Sequence, residues 1–226
     1  MKIGIIGSGN MGRSLGILWA EQGHEVFFGA RTTEKGQEVA TNAGHKTQGG
    51  SNDAAAAFGA VLLYTVRGVN PAKVFSSVSV LDDKVLIDCN NQEIPENFEY
   101  PAIARSLAET LAAEVPKARV VKAFNTMAQE LFELAPDPLK NYKVSVFVAG
   151  DDESAKQTVM QLANEIGFQA IDCGKLRHAR LIESAGDLIR LLMIQQQMGS
   201  TVTISVHALP PAQSQRLGGR QDSNLK

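Results

Sequence analysis

The sequence predicts an α/β protein with a doubly wound, mostly parallel sheet, and three observations carry that prediction. Apolar runs typical of buried strands alternate with helical patterns, as they do when helices cover both faces of a parallel sheet. The first apolar run ends in a glycine-rich turn that leads directly into a helix. A hydrophobic fraction of 44% is sufficient for an ordinary buried core.

The glycine-rich turn is the most specific motif in the chain. The strand pattern Lys2–Ile6 runs into Gly7-Ser8-Gly9-Asn10-Met11-Gly12, which has the spacing G-x-G-x-x-G. Gly7 permits a tight turn, Gly9 lets the backbone approach a pyrophosphate, and Gly12 lets the following helix pack against the sheet. Free N–H groups at the start of that helix favour an anion. We therefore expect a Rossmann-type dinucleotide site, with all six residues of the run binding the cofactor.

The end of the second strand indicates which dinucleotide to expect. His24–Phe28 has a strand pattern, and NAD enzymes place Asp or Glu just beyond it to bind the ribose 2′-hydroxyl. Here Ala30 stands in that place, followed by Arg31, Thr32 and, one turn on, Lys35. A guanidinium pairs with a 2′-phosphate that a carboxylate would repel. We therefore expect NADP(H), bound by Arg31, Thr32 and Lys35; the alternative is that these cations form a solvated surface pair.

The other helices and strands before residue 142 are predicted from the periodicity of apolar residues and from helix-capping residues. A short strand is expected near His45–Thr47, and Ser51-Asn52-Asp53 can cap an alanine-rich helix over Ala54–Ala57. Further helices are expected over Arg13–Gln22, from Thr33 onward, and over Ser106–Val115. Buried strands are expected over Ala60–Val66, Lys84–Cys89 and Arg119–Phe124.

A second, smaller unit is expected after residue 142. It comprises a strand over Lys143–Ala149, a helix from Glu153 to about Ile166, a strand over Phe168–Asp172 and a long helical pattern over Leu176–Gln197. The predicted division is a Rossmann domain over residues 1–142, a compact C-terminal α/β unit over 143–207 and a flexible polar tail over 208–226.

Residues just beyond the strands are the candidates for contact with ligands, because doubly wound sheets bind them at the carboxyl ends of the strands. Thr65 and Val66 are expected to line the ribose or nicotinamide side of the groove. Asn125, Thr126 and Met127 follow the strand at the nicotinamide end and are expected to contact cofactor or substrate. Arg67 suits a phosphate or an acidic substrate, and a solvated arginine is the equal alternative.

Bulk properties argue against several other classes of protein. A net charge of −2 and a pI of 6.1 give no general attraction to nucleic acid or an anionic membrane. No leader pattern is visible and no apolar run approaches the roughly 20 residues of a membrane span, so a cytoplasmic protein is expected. The four histidines are scattered, and no metal site is expected. The sequence assigns no catalytic acid or base, which favours hydride transfer to an acceptor that needs little proton transfer.

Several motifs together resemble a known family. The run Gly7–Gly12 is similar to the start of pyrroline-5-carboxylate reductases and of F420-dependent NADP oxidoreductases. The second family is favoured by Gly29-Ala30-Arg31 with Lys35, by Ala149-Gly150-Asp151-Asp152-Glu153-Ser154 and by Arg180-Leu181-Ile182-Glu183-Ser184. Val121–Thr126 also resembles the NADPH domain of the six-transmembrane metalloreductases of the same superfamily. The similarity spans roughly residues 2–198.

The resemblance implies a homodimer in which NADPH exchanges a hydride with a small-molecule partner, coenzyme F420 (a deazaflavin) or a flavin. It implies that Ser8, Asn10 and Met11 bind phosphate. It also implies a cofactor groove lined by Thr65, Val66, Ala123 and Asn125. Where the F420 enzymes carry a His-Thr-Ile-Pro-like segment, this chain has Asn125-Thr126-Met127-Ala128.

Two alternatives stay open. One is an imine or ketone reductase of the pyrroline-5-carboxylate type, although such enzymes need a large helical domain that one long helix after residue 175 does not supply. The other is a non-catalytic NADP(H)-binding redox module, which the absence of an evident proton relay allows.

Overall fold

The computed structural model describes residues 1–134 and 136–210, and eight strands of this part form one sheet. They are β1 (Lys2–Ile6), β2 (Glu25–Ala30), β3 (Gln48–Ser51), β4 (Val61–Tyr64), β5 (Val85–Asp88), β6 (Arg119–Lys122), β7 (Ser145–Gly150) and β8 (Gln169–Asp172). Their spatial order is β3-β2-β1-β4-β5-β6-β7-β8, and every neighbouring pair is parallel except β6 and β7. The predicted doubly wound, mostly parallel sheet is therefore confirmed.

Seven α-helices flank the sheet in the described residues. They are α1 (Asn10–Glu21), α2 (Thr33–Ala43), α3 (Asn52–Phe58), α4 (Leu107–Glu114), α5 (Pro136–Asn141), α6 (Glu153–Glu165) and α7 (Ala179–Arg190). Side-chain caps begin several of them: Ser51 accepts from the amide of Ala54, and Ser106 forms a reciprocal capping box with Glu109. The long helical pattern from residue 176 is divided into a 3₁₀ turn over Leu176–His178, α7, and a π-helical turn over Leu191–Gln195.

The predicted position of a strand near His45–Thr47 is wrong, because this segment forms a turn. His45 and Lys46 have φ values of +52° and +59°, and the strand lies further on, at Gln48–Ser51. A Cβ on Gly49 would lie 2.0 Å from the carbonyl oxygen of Gly36 in α2. The two glycines of β3 thus allow a helix to lie directly on the strand, whereas in the sequence they suggest a loop.

Strand β2 runs two residues further than its pattern predicts. Ala30 is its last residue and is buried, so Arg31 is the first residue beyond the strand. This places Arg31 at the carboxyl edge of the sheet, next to the glycine turn that follows β1.

The C-terminal unit continues the same sheet, because β7 pairs with β6. The fully buried indole of Trp19 in α1 donates its Nε1–H to the carbonyl of Leu162 in α6 at 3.2 Å and packs edge-on against Phe124. The division at residue 142 stays a prediction. Of the predicted tail, residues 211–226 lie outside the described residues. Within the described part, no helix has the length and apolar character to cross a membrane.

Candidate functional site

The glycine turn after β1 is held in one conformation by three neighbouring segments. Gly7 has φ +91°, and its amide donates to the carbonyl of Gly29 and to Oδ1 of Asn52, each at 3.2 Å. The hydroxyl of Thr65 donates to the carbonyl of Gly7 at 2.6 Å. A Cβ at Gly7 would lie 2.6 Å from that hydroxyl oxygen, and one at Gly12 would lie 2.4 Å from the Gly7 carbonyl. Only glycine fits at these two positions.

The other side of the turn is open and suits an anion. A Cβ at Gly9 would meet nothing within 4 Å. Helix α1 begins there with no side-chain cap and no acid in its first turn, so the amides of Asn10, Met11 and Gly12 have no partner within the helix. A pyrophosphate fits such a helix start. The hydroxyl of Ser8 donates to the Gly29 carbonyl at 2.6 Å, which leaves its backbone amide as the group that can donate to a phosphate.

A cleft of 680 Å³ runs from the glycine turn to the end of β2, and we call it the glycine-turn cleft. Its wall includes Ala30, Arg31, Thr32 and Lys35, as the sequence predicts for the 2′-phosphate side. Thr32 caps α2 by accepting from the amide of Lys35, and Lys35 forms an exposed ion pair with Glu38 at 2.9 Å.

The glycine-turn cleft is also lined by two charged residues that the sequence analysis did not assign to the cofactor site. Lys73 adds a third cation. Asp53 is the acid among the lining residues, and its two oxygens accept from the amide and hydroxyl of Ser76 at 3.0 and 2.8 Å. With Arg31, Lys35 and Lys73 against one carboxylate, the charged residues that line the cleft carry a net positive charge.

A second cavity of 1180 Å³ adjoins the first beyond β4 and β5, and we call it the β4–β5 cavity. Val66 lines the glycine-turn cleft and its neighbour Arg67 lines the β4–β5 cavity, so the two meet at the end of β4. The irregular segment between β5 and α4 forms most of the second wall, and Asp187 of α7 closes it. Burial raises the pKa of Asp187 although Arg190 pairs with it.

The predicted contacts beyond β6 lie inside the protein. Ala123, Asn125, Thr126 and Met127 each expose 6% of their surface or less, and Met127 belongs to the hydrophobic core. A ligand would reach them only after a local movement. Their predicted contact with cofactor or substrate is therefore still a prediction.

Two asparagines fix the segment beyond β6 against α7. Asn125 donates its Nδ2 to Oδ1 of Asn91 at 2.8 Å and to the carbonyl of Ile182 at 3.0 Å, and Asn91 donates back to the Asn125 carbonyl at 2.6 Å. A Cβ at Gly186 would lie 2.6 Å from Asn91 Oδ1, so glycine is needed where α7 passes. Oδ1 of Asn125 is buried with no hydrogen-bond partner among the described residues.

Beneath these asparagines lies a buried ionic cluster of Lys122, Asp88 and Glu183. The ammonium of Lys122 donates to Oδ2 of Asp88 and to Oε1 of Glu183, each at 2.8 Å, and also to the carbonyl of Asn90. None of the three side chains exposes more than 2% of its surface. Burial opposes the charge on Lys122, but the two carboxylates outweigh it and hold its pKa above the ordinary value.

The buried ionic cluster also ties helices to the sheet. Glu183 accepts from the amides of Leu107 and Ala108, at 3.0 and 3.3 Å, in the first turn of α4. Asp88 accepts from the amide and side chain of Asn90. One cluster therefore connects β5, β6, α4 and α7. The sequence signal for it was an aspartate and a lysine that each directly follow apolar strand residues, at the ends of β5 and β6.

Comparisons with known proteins place these features in a family. A family model described as NADP oxidoreductase, coenzyme F420-dependent, matches residues 2–92. The F420-dependent NADP reductase of Methanothermobacter thermautotrophicus is 30% identical over 220 residues, which cover 88% of this chain and 91% of that protein. A solved structure described as an F420-dependent NADP-reductase from Arthrobacter sp. FB24 has a TM-score of 0.79 at 25% identity and covers 92% of this chain and all of its own.

A longer relative matches the same region. The metalloreductase STEAP3 of Rattus norvegicus is 29% identical over 183 residues, which cover 81% of this chain. This chain spans only 36% of the length of that protein.

Proposed function

The chain belongs to the F420-dependent NADP reductases, a family of oxidoreductases, and from this premise we propose a specific reaction for it. It binds NADP(H) in the glycine-turn cleft and transfers a hydride between the nicotinamide and a deazaflavin, coenzyme F420, or a flavin-type acceptor in the β4–β5 cavity. The observation that carries the proposal is the cleft itself. It joins an open helix start to a wall with Arg31, Lys35 and Lys73, and its one lining acid is hydrogen-bonded elsewhere.

The chain's own groups divide into binding and orienting roles in this proposal. The unpartnered amides of Asn10–Gly12 bind the pyrophosphate, and Arg31 with Lys35 and Lys73 binds the 2′-phosphate. Thr65 acts indirectly, because its hydroxyl is used to hold the carbonyl of Gly7. Thr65 is thus assigned to the shape of the glycine turn and Val66 to the passage between the two cavities.

NADPH supplies the hydride when it is bound, and the protein needs to hold the acceptor beside it without water. The β4–β5 cavity offers Arg67 and Arg105 for the anionic or polar parts of an acceptor and Ile94, Pro101 and Ile103 for its rings. Most flavin-type acceptors combine a flat apolar ring system with a charged tail, which suits this mixed lining. The expected homodimer is also a proposal, which the exposed Leu181 and Leu188 on one side of α7 support.

The first test addresses the cofactor. Titrations with NADPH and NADH are compared for the unchanged protein, Arg31→Ala and the matched control Arg177→Ala, an exposed arginine outside the cleft. We expect NADPH to bind more tightly than NADH, and Arg31→Ala to weaken NADPH alone by roughly 10- to 100-fold. Equal affinity for NADPH and NADH in the unchanged protein would remove the 2′-phosphate assignment.

The second test addresses the acceptor. The protein is mixed with NADPH and coenzyme F420, FMN, FAD or 1-pyrroline-5-carboxylate, and nicotinamide absorbance is followed. We expect oxidation by F420 or a flavin. Oxidation by the pyrroline compound alone would support the imine reductase instead, and tight NADPH binding with no oxidation by any acceptor would support a non-catalytic module.

A further inference from the structure

We propose that the buried ionic cluster of Lys122, Asp88 and Glu183 sets the relative affinity of this protein for oxidised and reduced cofactor. Its excess negative charge stabilises NADP⁺, whose nicotinamide is cationic, relative to NADPH, whose nicotinamide is neutral. The cluster would therefore favour release of hydride from the bound cofactor. This inference rests on the proposed binding of NADP(H).

The position of the cluster follows from strand register. Asp88 and Lys122 are the last residues of β5 and β6, and they are direct partners across the two strands. In a doubly wound sheet the ligand lies beyond these carboxyl ends. The cluster thus lies under the edge of the sheet at the proposed nicotinamide half of the site, on strands two and three places from β1 and its glycine turn.

The cluster has two carboxylates and one ammonium. Both carboxylates accept hydrogen bonds from donors other than Lys122: Asn90 for Asp88, and the amides of Leu107 and Ala108 for Glu183. The start of α4 offsets about half a charge, so an excess of roughly half a negative charge is left. The neighbouring Asp187 and Arg190 form a neutral pair and do not change this balance.

The buried position makes the excess charge effective. No side chain of the cluster exposes more than 2% of its surface, so solvent and salt screen it poorly. The two forms of the cofactor carry the same phosphates and differ in the charge of one ring. The ratio of their dissociation constants therefore isolates the interaction with that ring from every phosphate contact.

The expected size of the effect follows from Coulomb's law. For a carboxylate taken as about 10 Å from the nicotinamide ring, with an effective dielectric constant of about 20, neutralisation changes the ratio by roughly tenfold. We expect Kd(NADP⁺)/Kd(NADPH) to rise by about this factor in Asp88→Asn and in Glu183→Gln.

A double variant separates charge from structure. Lys122→Met with Asp88→Asn removes one charge of each sign and leaves Glu183 with its two backbone donors, so the excess charge is that of the unchanged protein. We expect its ratio to return to within about twofold of the original. Asp172→Asn is the matched control, because it alters a different lysine–aspartate pair, with Lys156, outside both cavities.

Dissociation constants for NADP⁺, NADPH and 2′-phospho-ADP-ribose are measured by calorimetry on each variant that shows a cooperative thermal transition. Either single variant decides the question by itself, and the double variant shows whether the change in the ratio follows the charge. An unchanged ratio, or equal weakening of NADP⁺ and NADPH, in a folded single variant would overturn the inference and leave a structural role. Failure of the unchanged protein to bind NADPH and 2′-phospho-ADP-ribose would instead refute the proposed function.

Discussion

The two halves of the candidate site are built in opposite ways. The half proposed to bind the adenosine and phosphates, called the adenosine half, consists of residues close together in the sequence, around Gly7–Gly12 and Arg31–Lys35, and it presents unpartnered amides and exposed cations. The half proposed to hold the nicotinamide, called the nicotinamide half, is built over residues far apart in the sequence, such as Asp88, Lys122 and Glu183, whose charges are buried and paired. Groups that bind phosphate must be reachable by it, whereas groups that act through a field must be protected from solvent.

The largest expected effect is a loss of stability when the buried ionic cluster of the nicotinamide half is disrupted. Glu183→Ala leaves Lys122 with one carboxylate and removes the acceptor for the amides of Leu107 and Ala108. Breaking a buried pair typically costs about 3–5 kcal/mol, so we expect the free energy of unfolding to fall by that amount. Urea denaturation measures it.

Glu153→Ala is the control for that experiment, because it removes an exposed carboxylate partner of Lys156. We expect less than about 1 kcal/mol for this surface position. A similar loss in both variants would contradict the distinction between the two halves.

The next largest effect is expected in the glycine turn, where a substitution at Gly9 should separate NADPH binding from stability. Gly9→Ala has room in the folded protein, so its unfolding free energy should stay within about 0.5 kcal/mol of the original. Its methyl group would occupy the place proposed for the pyrophosphate, and we expect NADPH binding to weaken by at least roughly tenfold. Calorimetric titration and thermal unfolding of the same sample test both halves of this prediction.

Gly7→Ala provides the contrast, because φ is +91° and the Thr65 hydroxyl leaves no room for a Cβ. We expect a loss of about 1–3 kcal/mol in stability together with the loss of binding. Stability unchanged in Gly7→Ala, or strongly reduced in Gly9→Ala, would show that the turn is not held as described.

A smaller effect is expected from the cation that the sequence did not indicate. Lys73→Ala should weaken NADPH by about 3-fold and leave NADH unchanged, because one exposed lysine contributes modestly to binding a phosphate. Fluorescence titration measures it, with the exposed Lys46→Ala as the control. Equal weakening of NADPH and NADH would place Lys73 away from the 2′-phosphate.

The smallest effect concerns acid stability outside the site. Arg180 donates two hydrogen bonds to Glu109 and holds the pKa of that carboxyl down to about 2. Since the folded-state pKa lies below the ordinary value, the stabilisation is complete above about pH 4.5 and is lost as the pH falls toward 2. Arg180→Met should therefore lower the free energy of unfolding at pH 7 and hardly at all near pH 2. An equal loss at both values would show that packing, rather than charge, is responsible.

The adenosine half was predictable from the sequence because its signals are local. A strand, six residues of turn and the residues after the next strand suffice to place Gly7–Gly12, Ala30 and Arg31. Asn52, which holds the amide of Gly7, was interpreted as a helix cap, since nothing nearby in the sequence links the two positions.

The nicotinamide half was not predictable because its partners come from distant elements. Lys122 and Glu183 meet only once β6 and α7 are packed together. A lysine within the apolar run Val120–Phe124 was the available signal, and it indicated a buried partner without naming one. Strand β3 was expected a few residues too early for a related reason: its glycines are explained by the passage of α2, which the sequence does not reveal.

The hydrogen bond from Trp19 to Leu162 and the pairing of β7 with β6 restrict the movements by which ligands could enter and leave. Many cofactor enzymes open like a clamshell, with two bodies swinging apart about a flexible joint. In this protein such a movement would separate hydrogen-bonded strands of a continuous sheet and expose the fully buried indole of Trp19. For an acceptor in the β4–β5 cavity, as proposed, entry would depend on movement of the segment between β5 and α4, which is attached to the end of α7 where Arg190 donates to the carbonyl of Gln92. Local movement of this segment would then limit the rate of turnover, while the sheet and its flanking helices stay in place.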